Sequence, residues 1–454
     1  MAKKTTVFTC SSCGYTQAKW LGRCPNCGAW NTLEEVPVQE GKPASPFRND
    51  TEASNISLAR VESQDTERLS TGIAEFNRVL GGGAVKRSAI LIGGEPGIGK
   101  STLLLQVAAA CGKKVLYVSG EESAGQIKGR VDRLALAVDQ VEILCTTNVK
   151  TIEKILNKVH PIFVIIDSVQ TLFHEDAGII PGTINQLKYC TYELVSWVKE
   201  RDAVLFFTAH VTKEGNIAGP KVLEHLVDTV ISFERNEDDL RFLRALKNRF
   251  GSVDELGIFE MSERGLVTVD NTASLFLTSK ALNLPVGAAL VPVFEGSRVF
   301  LVEVQALTVP AKASLSRVFS EKVEVARVSR IAAVLEKHIG IGFSDQDIYV
   351  NVAGGIRLRE SASDLALAVA LYSARTNLLP KYSASYVGEI SLAGEIRPVK
   401  KLALRIKMSA SLGLKKIYTP EGRDNEPQDS TQQEGIEQVL VESLKTLIVS
   451  AFGN

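Results

Sequence analysis

The sharpest chemistry in this chain of 454 residues lies in Gly94-Glu95-Pro96-Gly97-Ile98-Gly99-Lys100-Ser101, followed by Thr102. Gly-x-x-x-x-Gly-Lys-Ser is the pattern of a phosphate-binding loop. Its glycines let backbone N–H groups close around phosphate oxygens, its lysine reaches the β and γ oxygens, and its serine hydroxyl takes Mg²⁺. ATP with Mg²⁺ is the expected ligand. A nucleotide site also needs an acid at the end of a buried strand, and Phe163-Val164-Ile165-Ile166-Asp167 supplies one. Asp167 is expected to hold the metal through water or through Ser101. An aspartate that only caps the segment after it is the plainer alternative.

Glu121 and Glu122 follow the apolar run Val115-Leu116-Tyr117-Val118, and either offers a carboxylate to orient or deprotonate attacking water. Their strand is expected beside the one that carries the phosphate loop. Thr208-Ala209-His210 closes another buried run, where His210 either senses a γ-phosphate or satisfies hydrogen bonds at a sheet edge. The glycine-rich stretch 212–221 carries Lys213 and Lys221. Beyond the strand-like Leu240–Leu246, Lys247 and Arg249 stand one residue apart and point to the same side. Alone, such a pair is usually a solvated edge. At a subunit boundary both cations reach a neighbour's γ-phosphate.

A different chemistry opens the chain. Cys10, Cys13, Cys24 and Cys27 form two Cys-x-x-Cys pairs, each followed by glycine. Four thiolates close a tetrahedral Zn²⁺ site, which supplies on the order of 10 kcal/mol of folding free energy to a segment with little core. Two disulfides or a redox pair are the alternative, but no thioredoxin-like strand and helix surround either pair. With no open ligand position the zinc is structural. Cys111, Cys145 and Cys190 are scattered, and an odd, clustered set of seven argues for a reducing compartment.

These residues need a frame. From Leu69 to about Thr268, apolar runs of strand length alternate with amphipathic stretches of helix length, the pattern of an α/β fold with a parallel sheet flanked by helices. The runs Ser88–Gly93, Val115–Ser119, Val141–Cys145, Ile162–Asp167, Ala203–Ala209 and Thr229–Phe233 read as its strands. After Ala273, strands around Arg298–Val304, Asp347–Val352 and Tyr386–Ile396 interleave with helices at Val323–His338, Ser363–Ala374 and Lys400–Leu412, a separate α+β domain. The expected division is a zinc knuckle module at 1–35, a linker at 36–65, an ATPase core at 66–270 and a C-terminal domain at 271–454. The 52 basic and 52 acidic residues balance, so any nucleic-acid contact must be local. No apolar run approaches membrane-spanning length, and cysteines stand where a secretory signal would need an apolar stretch. A cytoplasmic protein is expected.

The four-cysteine module, the loop Gly-Glu-Pro-Gly-Ile-Gly-Lys-Ser, Ser119-Gly120-Glu121-Glu122-Ser123 and Lys247-Asn248-Arg249-Phe250-Gly251 together closely resemble the bacterial RadA (Sms) family over essentially the whole chain. This resemblance implies a RecA-like core and a hexameric ring related to the DnaB-type helicases. It implies hydrolysis of ATP, binding of single-stranded and branched DNA, and branch migration alongside the RecA recombinase in homologous recombination and DNA repair. It places the catalytic glutamate at the strand end of Glu121, with Glu122 as alternative, and the 212–221 loop on DNA. It also makes Lys247 and Arg249 functional residues.

The segment Gly388–Pro398 resembles the part of the Lon protease domain that precedes its catalytic lysine. A gap-free continuation puts Arg405 at the lysine position and Ala362, or Ser363 with one residue missing, at the serine. Arginine does not give up its proton, so peptidase activity is not expected. Lys400, Lys401 and Lys407 leave a shifted alternative open. An ATP-dependent protease is the competing reading, set aside because Lon carries a different class of motor. A KaiC-type signalling ATPase would explain Gly81-Gly82-Gly83 and the phosphate loop, but neither the zinc module nor the Lon-like half.

Overall fold

The computed structural model describes residues 6–10, 16–17, 19–25, 29–37, 67–210, 222–236, 239–269, 275, 277, 284–311, 316–421 and 435–453. The chain divides into two compact units, one of Met1–Glu234 with Arg241–Val267, the other of Arg235–Leu240 with Thr268–Asn454. Among the described residues no helix is long and apolar enough to cross a membrane.

The N-terminal strands β1 (Thr6–Cys10), β2 (Thr16–Gln17) and β3 (Leu33–Pro37) form an antiparallel sheet in the order β2-β1-β3. Its small core joins Cys10, Cys24 and Leu33 to Phe8.

The larger part of this unit runs β4 (Arg68–Leu69), α1 (Ala74–Val79), β5 (Ala84–Val85), β6 (Ser88–Gly94), α2 (Lys100–Ala110), β7 (Val115–Ser119), α3 (Ala124–Arg133), β8 (Val141–Cys145) and α4 (Val149–Val159). It continues with β9 (Phe163–Asp167), α5 (Ile184–Lys199), β10 (Val204–His210), α6 (Val222–Leu226), β11 (Thr229–Arg235), β12 (Leu240–Asn248), β13 (Leu256–Ser262) and β14 (Gly265–Thr268). The sheet order is β14-β13-β12-β11-β6-β10-β9-β7-β8. From β11 to β8 neighbouring strands pair in parallel, as the alternation of strand and helix requires. Both faces are buried because the pleat sends alternate residues to opposite sides. Ile90 and Ile92 pack with Leu103, Val107 and Phe206, whereas Ala89 and Leu91 pack with Leu194, Trp197 and Phe207. Three further strands, β12 to β14, extend the sheet beyond its parallel part.

One expectation is corrected here. The strand leading to Glu121, β7, does not lie beside β6: β10 and β9 stand between them. The crossover after α2 passes over two positions that later strands fill, which no local pattern reveals.

The second unit contains β15 (Ala288–Glu295), β16 (Arg298–Pro310), β17 (Val318–Ser320), α7 (Val325–Ile339), β18 (Gln346–Val352), α8 (Asp364–Thr376), β19 (Ala384–Tyr386), β20 (Glu389–Ile390), β21 (Ile396–Arg397), α9 (Leu402–Ser411), β22 (Lys416–Thr419), β23 (Glu437–Leu440) and α10 (Leu444–Phe452). Seven of these strands form a mixed sheet in the order β17-β18-β16-β15-β19-β22-β23. The stretch Tyr386–Ile396 is divided: β19 ends at Tyr386, and β20 pairs with β21 in a separate hairpin. Gly388 marks the break, since a Cβ there would meet Ile396 Cγ2 at 2.7 Å.

Candidate active site

The parallel strands end along one edge of the sheet, the usual place for ligands in such folds. There β6 hands over to α2 through the phosphate loop. Gly97 and Gly99 take φ of +77° and +117°, which a side chain disfavours, and a Cβ at Gly99 would lie 2.8 Å from Met261 Cε. Arg241 of β12, itself buried, donates Nε–H to Ile98 O at 3.2 Å and holds the loop from below. Lys100 Nζ turns back onto Gly94 O (2.7 Å) and Glu95 O (2.9 Å). Burial lowers its pKa to about 8, against the opposing charges of Asp167, Glu121 and Glu95. Ser101 and Thr102 stand half-buried in the first turn of α2.

Asp167 ends β9 on the same edge. Tyr117 OH of β7 donates to its Oδ2 and Thr208 Oγ1 of β10 to its Oδ1, each at 2.6 Å. Both donors are buried and neutral, so the carboxylate is fixed in orientation while lone pairs remain on each oxygen. Those hard donors, with the Ser101 hydroxyl, suit Mg²⁺.

The two neighbouring glutamates part company. Glu121 Oε1 accepts from Ser168 Oγ at 2.5 Å and lies 3.5 Å from His210 Nε2. His210 Nδ1 is in turn 3.4 Å from Lys100 Nζ. Glu122 turns away to Arg130 of α3, with an Oε1–Nη2 separation of 2.5 Å. Although β7 is three strands from β6, the turn after it leans back: Gly120 N donates to Asp167 O at 3.0 Å. Glycine is needed at that position, because a Cβ would stand 2.0 Å from Thr171 Oγ1. The structure thus brings Lys100, Glu121, Asp167 and His210 together.

Lys247 and Arg249 are elsewhere. They do point to the same side, but at the opposite edge of the sheet. Lys247 Nζ donates to Glu224 O (2.6 Å) within α6 and to Val227 O (2.7 Å) just after it, and burial lowers its pKa. Arg249 Nη1 lies 3.3 Å from Oδ1 of the buried Asp228, whose Oδ2 accepts from Lys199 Nζ (2.6 Å) and Ala89 N (3.0 Å). Ala89 stands near the start of β6 and Lys100 beyond its end, so a seven-residue strand, roughly 20 Å, separates the two sets. The motif itself is pinned: Asn248 Oδ1 accepts Phe250 N at 3.0 Å, and Arg68 donates to the carbonyls of Phe250, Leu80 and Gly83.

Sequence reasoning missed Tyr117, Ser168, Thr208, Asp228 and Arg68. Ser168 had one available signal, its place directly after Asp167. The others act across strands whose order no local pattern gives.

Of the four cysteines, Cys10 and Cys24 are buried in one small core, with Cys10 Sγ 3.1 Å from Thr32 Oγ1. Cysteine sulfur is the soft donor that Zn²⁺ takes, so the pair fits a zinc site. Cys13 and Cys27, and the lysines Lys213 and Lys221, lie outside the described residues.

In the second unit, Arg405 is a buried structural cation. Its Nη2 meets Glu360 Oε2 at 2.6 Å, its Nη1 donates to Glu360 Oε1 (2.9 Å) and Pro292 O (2.6 Å), and its guanidinium lies over Phe294. Ala362 is buried, and Ser363 Oγ donates to Glu360 O at 3.0 Å while accepting from Arg327 at 3.1 Å.

Comparison with known proteins places this arrangement. The DNA repair protein RadA of Treponema pallidum (strain Nichols) is 63% identical over 433 residues, 94% of each chain. The chain belongs to the RadA family of DNA repair proteins. RadA proteins of Listeria monocytogenes and Bacillus subtilis are 43% and 41% identical, over 98% and 100% of both chains respectively. Three family models match in order along this RadA-family chain: a rubredoxin metal binding domain at residues 8–35, the KaiC ATPase at 69–149 and subunit ChlI of Mg-chelatase at 302–423. A zinc ribbon, a RecA-like ATPase core and a C-terminal α+β domain are therefore its parts. A KaiC-like protein of Pyrococcus horikoshii OT3 is 18% identical, with a TM-score of 0.39 over 45% of this chain and 99% of its own.

Proposed function

We propose that this chain hydrolyses ATP between adjacent copies of itself in a ring, hexameric by the family resemblance, and uses the cycle to move along DNA. Lys100 holds the β and γ oxygens, Ser101 and Asp167 hold Mg²⁺, Glu121 orients the attacking water and His210 reads the γ-phosphate. Bound Mg²⁺ supplies charge neutralisation at the β and γ oxygens. Lys247 and Arg249 come from the next subunit. The observation that carries this reading is their place on the sheet edge opposite Lys100, where one copy of the chain cannot bring both to one nucleotide.

The stretch after His210, with Lys213 and Lys221, contacts single-stranded or branched DNA. Branch migration beside the RecA recombinase is the process this motor would drive. Cys10, Cys13, Cys24 and Cys27 hold a structural Zn²⁺. The domain limits read from the sequence, 1–35, 36–65, 66–270 and 271–454, serve as its working parts, in a cytoplasmic protein. The ion pair of Arg405 with Glu360 counts against the protease reading, because a Ser–Lys peptidase needs a lysine that can lose its proton there.

The test is the ATPase rate with and without single-stranded DNA. DNA should raise it, and Arg249→Ala should lower the stimulated rate by roughly 10³-fold or more while nucleotide still binds. A lone subunit that turns over at full rate and ignores DNA would overturn the reading.

A further inference from the structure

We propose that Asp228 parks Arg249 and that Lys199 lets it leave, so that each subunit holds its trans-acting cation in reserve until a neighbour's nucleotide offers a competing anion. This rests on Arg249 acting across the subunit boundary. Asp228 is 2% exposed and is stitched to the start of β6, its backbone N donating to Ala89 O at 2.9 Å and its Oδ2 accepting from Ala89 N at 3.0 Å. It cannot follow a departing partner. Arg249 is tied to it at the backbone, N to Asp228 O at 3.2 Å, yet its side chain is 57% exposed and gives Oδ1 a contact of 3.3 Å from Nη1 alone. An arginine in permanent structural service is held differently: Arg405 meets both oxygens of Glu360, at 2.6 and 2.9 Å, and is 3% exposed.

Charge makes the departure possible. A buried carboxylate stripped of its cation is costly, and with Arg249 as sole partner that cost would hold the guanidinium in place. Lys199 removes the obstacle. Its Nζ donates to Oδ2 at 2.6 Å from the last turn of α5, on the oxygen that Arg249 does not use, and it stays there when Arg249 leaves. The Lys247 ammonium is engaged with Glu224 O and Val227 O, but its charge, close to both Asp228 and Arg249, repels the guanidinium and loosens its hold further. An incoming phosphate therefore meets an arginine with nothing uncompensated behind it. Asp228 and Lys199 are positioning residues that act through Arg249.

Two measurements on the full-length protein test this, and the first needs no neighbouring subunit. Arg249→Ala should lower the unfolding temperature of the ATPase unit by at most about 2 °C in the parent, and by about 5 °C or more in Lys199→Met, where Asp228 has come to depend on Arg249. Equal shifts in the two backgrounds overturn the proposal. In turnover, Lys199→Met should lower DNA-stimulated kcat about tenfold with the nucleotide Kd unchanged, and Lys199→Arg should restore it. Adding Asp228→Asn to Lys199→Met should also restore turnover, since asparagine keeps an oxygen for Ala89 N but no charge to detain Arg249. A double variant slower than Lys199→Met is the mark of a merely structural pair and overturns the proposal, as does parental kcat in Lys199→Met. If Arg249→Ala in the parent turns over normally, the motor reading fails and release toward a nucleotide fails with it. If Arg249→Ala is slow but Asp228→Asn rescues nothing, the parking alone is overturned.

Discussion

Glu121 and Glu122 show how two identical side chains, adjacent in sequence, acquire different partners. The backbone after β7 turns so that Glu121 meets Ser168 and His210, whereas Glu122 is neutralised by Arg130. Glu121→Gln should therefore reduce ATP turnover about 10²- to 10⁴-fold, while Glu122→Gln should leave it within a few-fold of the parent. A single-turnover assay of both proteins decides it, and equal losses would contradict the geometry. Lys100 makes a second prediction. Burial holds its pKa near 8, and a bound triphosphate, by stabilising the ammonium, must raise it. Binding then takes up a proton above about pH 8, so nucleotide affinity falls as pH rises through that value, by at most about tenfold per pH unit. Calorimetric titrations at pH 7.5 and 9 measure this; affinity that is flat or rising would refute it.

At the scale of elements, the parallel sheet was legible because each strand is a short apolar run bounded by helix-period sequence, and Val115–Ser119 and Val141–Cys145 have the expected limits. Strand order was not legible. The position of β7, and the cross-strand bonds that Tyr117 and Thr208 make to Asp167, depend on which runs become neighbours after long crossovers. The phosphate loop could be read residue by residue because its chemistry is local. The Lys247–Gly251 motif could not, since its partners Asp228 and Arg68 are fixed only by the fold. Arg68 clamps the Phe250 carbonyl together with Leu80 and Gly83. Arg68→Ala should lower DNA-stimulated kcat severalfold and leave the nucleotide Kd of the same protein unchanged. Parallel loss of both would mean that the residue serves only general stability.

Across the whole molecule, the C-terminal unit keeps a protease-like pattern in sequence but fills the key position with a structural ion pair. Arg405 is 3% exposed at its side chain, and removal of its partner would strand a buried charge. Glu360→Ala should cost about 3–5 kcal/mol of stability in that unit, seen as an earlier unfolding step by calorimetry, without creating or abolishing peptidase activity.

The proposed split of the nucleotide machinery between opposite sheet edges, if it holds, restricts how copies could associate. A two-fold pair joins unlike edges only by bringing both edges of each copy into one self-complementary patch, where donor meets acceptor twice. Front-to-back contact uses one edge of each copy at a time, and repeated contacts of that kind either close or run on as a filament. An unclosed row always has one fewer competent clefts than members, whereas closure completes the last one. On the proposed function, activity per polypeptide should therefore rise with the size of the assembly and level off only when no edge is left over.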